Sequence, residues 1–175
     1  MKSKIILACT ILCSFLCQCT ILNHISIGAI KPNLLVILCV SMGLMRGRKS
    51  GLWTGFFTGV LIDLFYGSVF GVYALIYMYI GFFSGYANRI YFDDDVKVPM
   101  IMVCIADFAY GLAVYVFVFL LRGRLAIDTY FLRIILPEIF YSVILTFFVY
   151  RFYHFINDRF MTSAKKERKS IWVLK

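Results

Sequence analysis

The sequence contains few of the side chains that enzymes use for acid–base or metal chemistry. It has 175 residues but only 2 histidines, His24 and His154, which fall near opposite ends of the chain. No H-E-x-x-H motif, P-loop or paired-carboxylate arrangement is present. We therefore predict no catalytic residues, no cofactor and no metal site, and we expect a protein that is not an enzyme.

Cysteine is present, but without the spacing of a metal or redox site. None of the 6 cysteines forms a C-x-x-C pair. Cys9, Cys13 and Cys17 share one face of a predicted helix, where three thiols could bind a soft metal. We interpret them instead as small apolar packing residues, because cysteine behaves as a small hydrophobic side chain.

Charged residues are also scarce, and this excludes a soluble globular domain. Only 15% of the residues are charged, 62% are hydrophobic and the mean hydropathy is +0.88. We predict an all-α polytopic membrane bundle of about six helices, since each crossing needs about 17 to 25 residues. The predicted spans are 5–23, 32–45, 51–66, 72–88, 99–121 and 133–156.

The predicted spans form one domain, residues 1–160, followed by a basic cytoplasmic tail, residues 161–175. The second, third and fourth spans are short. Locally thinned bilayer or neighbouring helices could accommodate them, because mismatch costs only fractions of a kcal/mol per Å. Five spans, with the second segment re-entrant, is the alternative.

The distribution of basic residues predicts that both termini are cytoplasmic. With this orientation 14 of the 18 basic residues lie inside, and four lie outside: Lys31, Arg122, Arg124 and Arg133. Topology thus explains the net charge of +9 without nucleic acid. We expect the basic tail to bind anionic lipid, at about 1 kcal/mol per basic residue, with a cytoplasmic partner as the alternative.

Small residues recur at every fourth position in the middle of the chain. The series is Gly51, Gly55, Gly59, Asp63, Gly67 and Gly71, and the next span contains Gly81 and Gly85. In an apolar helix this spacing leaves a groove that a second backbone can approach closely. Each four-residue step turns a helix about 40° beyond one full turn, so the later members of the series would leave the shared face. We therefore expect the third span to end near Tyr66 and residues 67–71 to form a turn. The seven glycines are our candidates for helix packing, within the bundle or against a partner helix.

Three acidic residues lie within or beside predicted spans: Asp63, Asp107 and Glu138. An ionisable group inside a membrane is a candidate functional residue. For Asp63 we expect a structural partner, such as a backbone N–H, Tyr66 or Arg122. Glu138 lies close to a helix N-terminus, where the helix dipole favours negative charge. Asp107 is the deepest acid, and for it we favour structural hydrogen bonding over proton or ion passage.

Residues 31–86 resemble a known bacterial family. The motifs are Lys31-Pro32-Asn33-Leu34-Leu35-Val36, the glycine series within residues 51–64, Gly67-Ser68-Val69-Phe70-Gly71 and Gly81-Phe82-Phe83-Ser84-Gly85. With the length, the span count and the basic tail, they are similar to the rod shape-determining MreD family. The resemblance implies a component of the cell-elongation machinery in the bacterial inner membrane. It implies MreC, MreB, RodA and the penicillin-binding transpeptidase of RodA as partners. It implies no catalytic residues in this sequence.

The resemblance also implies a fold similar to the membrane substrate-binding subunits of energy-coupling-factor transporters. We therefore expect a non-enzymatic scaffold that links peptidoglycan synthesis to MreB filaments through MreC. The first alternative is a small-molecule or vitamin-binding transporter subunit, which would retain a small ligand after detergent extraction. The second is an ion or proton pathway through Asp107.

Overall fold

The structure is a computed structural model that describes residues 2–24, 31–67, 70–89, 97–119 and 131–173. All regular structure in these residues is helical, as predicted, and each predicted span corresponds to one helix. The helices are α1 (Lys2–Cys19), α2 (Leu34–Arg46), α3 (Arg48–Tyr66), α4 (Val72–Ser84), α5 (Lys97–Val114) and α6 (Leu136–Val173). Shorter helical segments adjoin them: Ile21–His24, Ala87–Arg89 and the π-helical turns Tyr115–Phe119 and Phe131–Ile135.

Helix α2 forms the centre of the bundle. All its residues from Leu34 to Leu44 are buried, and it packs against each of the other five helices. The sequence explains this position, because α2 is apolar on every side before Arg46 and such a helix is buried. The Ser41 hydroxyl donates to the carbonyl of Ile37 at 2.6 Å and is therefore satisfied. The short second span is thus a continuous helix of 13 residues, about 20 Å long, enclosed by its neighbours.

Helices α3 and α4 form an antiparallel hairpin and share the most extensive helix–helix contact among the described residues. Two glycines with positive φ mark the chain reversals on either side of α3. Gly47 joins α2 to α3 with φ 82°, and Gly71 precedes α4 with φ 100°. Glycine adopts these angles without steric cost, so the chain turns within a few residues and brings three helices side by side.

Two stretches within the described ranges are long and apolar enough to cross a membrane, judged by length and composition: Lys97–Phe117 and Phe131–Asn157. Leu7–Cys19, α2 and α4 are apolar but shorter. Helix α3 has 19 residues, including Arg48 and Lys49 in its first turn. Longer helices therefore pack beside shorter ones in the bundle.

Helix α6 continues without interruption to Val173, so the backbone of the predicted tail is helical as far as it is described. Side chains beyond Asn157 lie outside the description. Of the predicted turn at residues 67–71, Ser68 and Val69 are outside the described residues, and so are Arg122 and Arg124 of the predicted outer loop.

Candidate functional site at the amino end of the central helix

The glycines of α3 face α4 at distances that admit no side chain. A Cβ atom on Gly51 would lie 2.1 Å from the carbonyl oxygen of Gly81, and one on Gly55 would lie 2.0 Å from that of Tyr77. On Gly59 it would lie 2.4 Å from the Cα of Ala74. Real Cβ contacts essentially never fall below 3.0 Å, so the two backbones touch directly here.

The glycines of α4 are equally close to α3. A Cβ atom on Gly81 would lie 2.1 Å from the carbonyl oxygen of Gly51, and one on Gly85 would lie 2.4 Å from the Cα of Arg48. The interface between α3 and α4 is therefore filled by this chain itself. It leaves no space at these glycines for a helix from another protein.

Gly67 and Gly71 lie in the connection between the two helices and not in their interface. The Gly67 N–H donates to the carbonyls of Ile62 and Asp63, both at 3.1 Å, and so ends α3. A Cβ atom on Gly71 would meet nothing within 4 Å. Its positive φ, rather than crowding, is what favours glycine there.

Asp63 connects α3 to α4 across this turn. Its Oδ1 accepts a hydrogen bond from the Tyr73 N–H at 3.1 Å, and its Oδ2 accepts one from the Ala74 N–H at 2.8 Å. Both amides belong to the first turn of α4, where N–H groups have no partner within the helix. Asp63 is only 4% exposed. It therefore caps the following helix through backbone N–H groups, one of the partners that the sequence analysis considers.

Asn33 caps α2 and ties it to two other helices. Its Oδ1 accepts from the Val36 N–H at 3.2 Å and from the Tyr77 hydroxyl of α4 at 3.0 Å. Its own N–H donates to the Ser142 hydroxyl of α6 at 2.9 Å. Asparagine is a preferred N-cap residue because its short side chain reaches the free amides of the first turn. One residue thus fixes the beginning of the central helix.

Gln18 of α1 holds the residues on both sides of Asn33. Its Nε2 donates to the carbonyl of Pro32 at 3.2 Å, and its Oε1 accepts from the Leu34 N–H at 2.9 Å. Neither Gln18 nor the hydroxyl partners of Asn33 are predicted from the sequence. The N-cap preference of asparagine was the available local signal, whereas nothing in the local sequence indicates partners that are distant along the chain.

A cavity of about 390 Å³ opens beside Asn33. The polar residues that line it with Asn33 include Gln18, Lys31, Tyr73, Tyr77, Tyr110 and Glu138. The ring of Tyr110 packs against those of Tyr77 and Tyr73, with centroid distances of 5.3 and 6.5 Å. This volume and a wall of aromatic and polar groups are typical of a small-molecule site.

Glu138 and Asp107 lie close to this end of α2 but differ in their surroundings. Glu138, in the first turn of α6, lines the cavity, and its carboxyl group lies beside the side chain of Asn33. Asp107 of α5 is only 2% exposed and lies near Ser142, within electrostatic range of Glu138. Neither of its oxygens has a partner at hydrogen-bonding geometry among the described residues. The three predicted acids therefore do not converge: Asp63 is a satisfied cap, while Asp107 and Glu138 flank the cavity region.

No histidine lines the cavity within the part of the chain that the structure describes. His154 packs against Tyr150, with ring centroids 6.3 Å apart, and lies about 24 Å along α6 from Glu138. Cys9 and Cys13 are exposed, and within the described ranges no three histidine, cysteine or acidic side chains cluster as metal ligands.

Polar contacts also fix the opposite end of α2. The Arg46 Nε donates to the Asn157 Oδ1 of α6 at 2.7 Å, and the Asn88 amide donates to the carbonyl of Leu44. The Arg48 guanidinium lies 4.3 Å from the ring centroid of Tyr86. The central helix is therefore held at both ends by side chains from its neighbours.

Comparison with known proteins agrees with the resemblance seen in residues 31–86. The family model of the rod shape-determining protein MreD matches residues 2–156, which include all six helices. No curated protein and no solved structure matches the chain. The chain therefore belongs to the MreD family, whose members are membrane proteins with a role in determining rod shape.

Proposed function

We propose that this chain is a non-enzymatic scaffold of the cell-elongation machinery in the bacterial cytoplasmic membrane. It links peptidoglycan synthesis outside to MreB filaments inside. MreC, RodA and the penicillin-binding transpeptidase of RodA are its other partners. Membership of the MreD family carries this proposal, and one surface feature of the bundle offers a place for a partner helix.

That feature is an apolar groove between α1 and α3, with a volume of about 750 Å³. Leu7 and Ile11 of α1 line one side, and Trp53, Phe57 and Leu61 of α3 line the other. Trp53 and Phe57 are 55% and 49% exposed, and their rings stack with centroids 5.9 Å apart. Because lipid removes the hydrophobic driving force, a partner transmembrane helix would bind this groove through van der Waals packing against the aromatic rings.

The backbone contact between α3 and α4 fixes the α3 wall of this groove. The aromatic residues lie on the face of α3 opposite Gly55 and Gly59, and those glycines leave no room for α3 to move toward α4. A rigid surface lowers the ordering cost when a partner binds. We infer that the transmembrane helix of MreC is the occupant, because MreC connects this chain to the other partners in the proposed arrangement.

The proposed placement in the membrane has six spans with both termini cytoplasmic. The distribution of the 18 basic residues supports it. In this orientation Asn33 lies near the outer surface and Arg46 near the inner one. The basic tail, whose backbone continues α6 to Val173, then leaves the bilayer on the cytoplasmic side, where its basic residues can contact anionic headgroups.

Affinity isolation of the full chain from mildly solubilised membranes, followed by mass spectrometry, tests the scaffold proposal. We expect MreC, RodA and the transpeptidase to co-purify with the wild-type chain. The double variant Trp53→Ala, Phe57→Ala should lose MreC while it keeps normal abundance, because these side chains are exposed.

Phe140→Ala, Phe148→Ala is the matched control, since both residues are exposed on α6, away from the groove. It should keep MreC. Unchanged MreC recovery with the groove variant would exclude the groove as the docking surface. Absence of all elongation proteins from the wild-type isolate would contradict the scaffold function itself.

The cavity beside Asn33 supports a second candidate, a small-molecule or vitamin-binding transporter subunit with a fold similar to the substrate-binding subunits of energy-coupling-factor transporters. Its volume of about 390 Å³ lies within the usual range for ligand pockets. Native mass spectrometry of the detergent-extracted chain separates the two functions. A transporter subunit should retain a stoichiometric small ligand and co-purify with an energising module instead of elongation proteins.

A further inference from the structure

Two side-chain donors in the wall of the cavity beside Asn33 bond to the protein itself. The Tyr77 hydroxyl donates to the Asn33 Oδ1 at 3.0 Å, and the Gln18 Nε2 donates to the Pro32 carbonyl at 3.2 Å. The Glu138 carboxyl group supplies acceptors to the same wall. The cavity therefore suits a ligand that brings its own hydrogen-bond donors or a positive charge.

Three of the aromatic residues that line this wall are tyrosines packed together. Tyr77 and Tyr110 are tilted by 55° with centroids 5.3 Å apart, and Tyr73 and Tyr110 are tilted by 38° with centroids 6.5 Å apart. Tyr77 is only 1% exposed, so the half-buried rings of Tyr73 and Tyr110 supply the accessible tyrosine surface of the cavity. The faces of aromatic rings attract cations, and clusters of them recognise ammonium groups.

A second acid lies behind the wall, outside the lining of the cavity. Asp107 is buried, close to Ser142 and within electrostatic range of Glu138. Of the described acids, Glu138 lines the cavity, so it is the group that a cation there would contact. Lys31 is the basic residue of the lining, but it is exposed at the rim.

We propose that the cavity formed by Glu138, Asn33 and the tyrosines of α4 and α5 binds an organic ammonium group. Glu138 and the rings of Tyr73 and Tyr110 contact the cation, and Asn33 positions Glu138. The ammonium group belongs either to a free amine or to the headgroup of an amine-bearing phospholipid. With either source of the ammonium group, the proposal is independent of the scaffold function, since the cavity is separate from the groove between α1 and α3.

A charged probe and its neutral isostere test the proposal on the wild-type chain. The full chain is placed in nanodiscs of phosphatidylglycerol alone, and its Tm is measured with choline or with 3,3-dimethylbutan-1-ol, which has the same shape without the charge. Choline should raise the Tm with a saturable dependence on concentration, because a ligand that binds only the folded state stabilises it. Saturation-transfer NMR should show choline in contact with the protein. The neutral alcohol should give neither effect.

Two charge-changing variants test where the cation binds. Glu138→Gln should weaken choline binding about tenfold or more, because a charge-assisted contact is lost. Lys31→Gln is the matched control, since it removes a positive charge from the rim and should leave binding unchanged or tighter. If Glu138→Gln does not fold, Tyr110→Leu removes an aromatic face without removing charge, and it should also weaken binding.

The lipid composition of the nanodisc separates the two sources of the ammonium group. If the ligand is a phospholipid headgroup, discs with phosphatidylethanolamine should raise the Tm without added choline, and choline should then have no further effect. If it is a free amine, choline should act equally in both kinds of disc. Equal effects of choline and the neutral alcohol, or no response to choline and to phosphatidylethanolamine, would overturn the proposal. Loss of binding in Lys31→Gln with binding kept in Glu138→Gln would also overturn it, because that pattern belongs to an anion site.

Discussion

Gly51 and Gly81 are in reciprocal contact, because the carbonyl oxygen of each lies 2.1 Å from the position that a Cβ atom on the other would occupy. The atoms that would clash belong to the backbone of a helix, which cannot rotate away as a side chain can. This pair lies in the α3–α4 hairpin, beside the central helix, where Gly43 also approaches Gly81. The contact therefore sets the distance between two helices of the bundle.

Gly55→Ala should destabilise the chain. Its Cβ atom would lie 2.0 Å from the carbonyl oxygen of Tyr77, so α3 and α4 would have to separate. Overpacking of this kind costs about 1 to 3 kcal/mol. We expect a lower Tm in detergent and less protein in the membrane fraction, and Gly55→Leu should be worse.

Gly111→Ala is the control for this prediction. Its Cβ atom would first meet the side chain of the buried Ile135, at 2.9 Å, so a side chain and not a helix backbone has to shift. The variant should therefore lose less Tm and abundance than Gly55→Ala. Equal losses in Gly55→Ala and Gly111→Ala would show that backbone contact is not what makes the first position sensitive.

Asp63→Asn should be tolerated better than Asp63→Leu. The amide keeps one acceptor for the Tyr73 or the Ala74 N–H, whereas leucine leaves both buried donors without a partner. Hydrogen bonds to charged groups contribute about 1.5 to 3 kcal/mol, so the leucine variant should lose at least that much. Thermal unfolding of both purified variants checks the order. A leucine variant as stable as the asparagine variant would remove the capping role.

Asn33→Ala should cost more stability than Tyr77→Phe. The alanine variant loses the N-cap of α2, worth about 1 kcal/mol, and leaves the buried Tyr77 hydroxyl without its acceptor. The phenylalanine variant loses a single hydrogen bond, worth about 0.5 to 1.5 kcal/mol. The free energies of unfolding of the two single variants and the double variant give the interaction free energy between Asn33 and Tyr77. The double variant should be less destabilised than the sum, because both changes remove the same 3.0 Å bond.

Asp107→Asn should fold, insert and support rod shape. The carboxyl group is buried close to the Ser142 side chain, with no bond of full hydrogen-bonding geometry to a described residue, so an amide that keeps an oxygen near Ser142 should be at least as stable. The measurement is complementation of cell shape together with abundance in the membrane. A normally abundant, inserted Asp107→Asn chain without function would favour an ion or proton pathway, because an amide cannot exchange a proton at physiological pH.

Reporter fusions test the predicted topology. A reporter after Lys175 should report the cytoplasm, and one near Ile127 should report the outside, on the 14-to-4 division of the 18 basic residues. Both positions lie outside the described residues. The same location for both reporters would show that the span count is wrong.

Much of the fold follows from the sequence, because its signals are local. Apolar stretches separated by short polar or glycine-containing segments predict six helices, and their bounds agree with the structure within a few residues at most ends. The turn after Tyr66 follows from the drift of the four-residue glycine stripe. The even apolar composition of α2 also explains its burial, since no face of that helix suits water.

The partners of the individual side chains were decided only by the tertiary structure. The glycine stripe indicates close packing, but it does not say that α4 of the same chain fills the groove. An asparagine before an apolar stretch indicates a helix cap, which is a local property. The bonds of Asn33 to Tyr77 and Ser142 join residues that are 44 and 109 positions away along the chain, and no local pattern indicates them. The cavity beside it arises where six chain segments meet, and such a meeting has no local signature. Sequence therefore determined the helices and the family, because hydropathy and spacing act within a segment. The site was decided by packing, because its groups come together only once the helices are assembled.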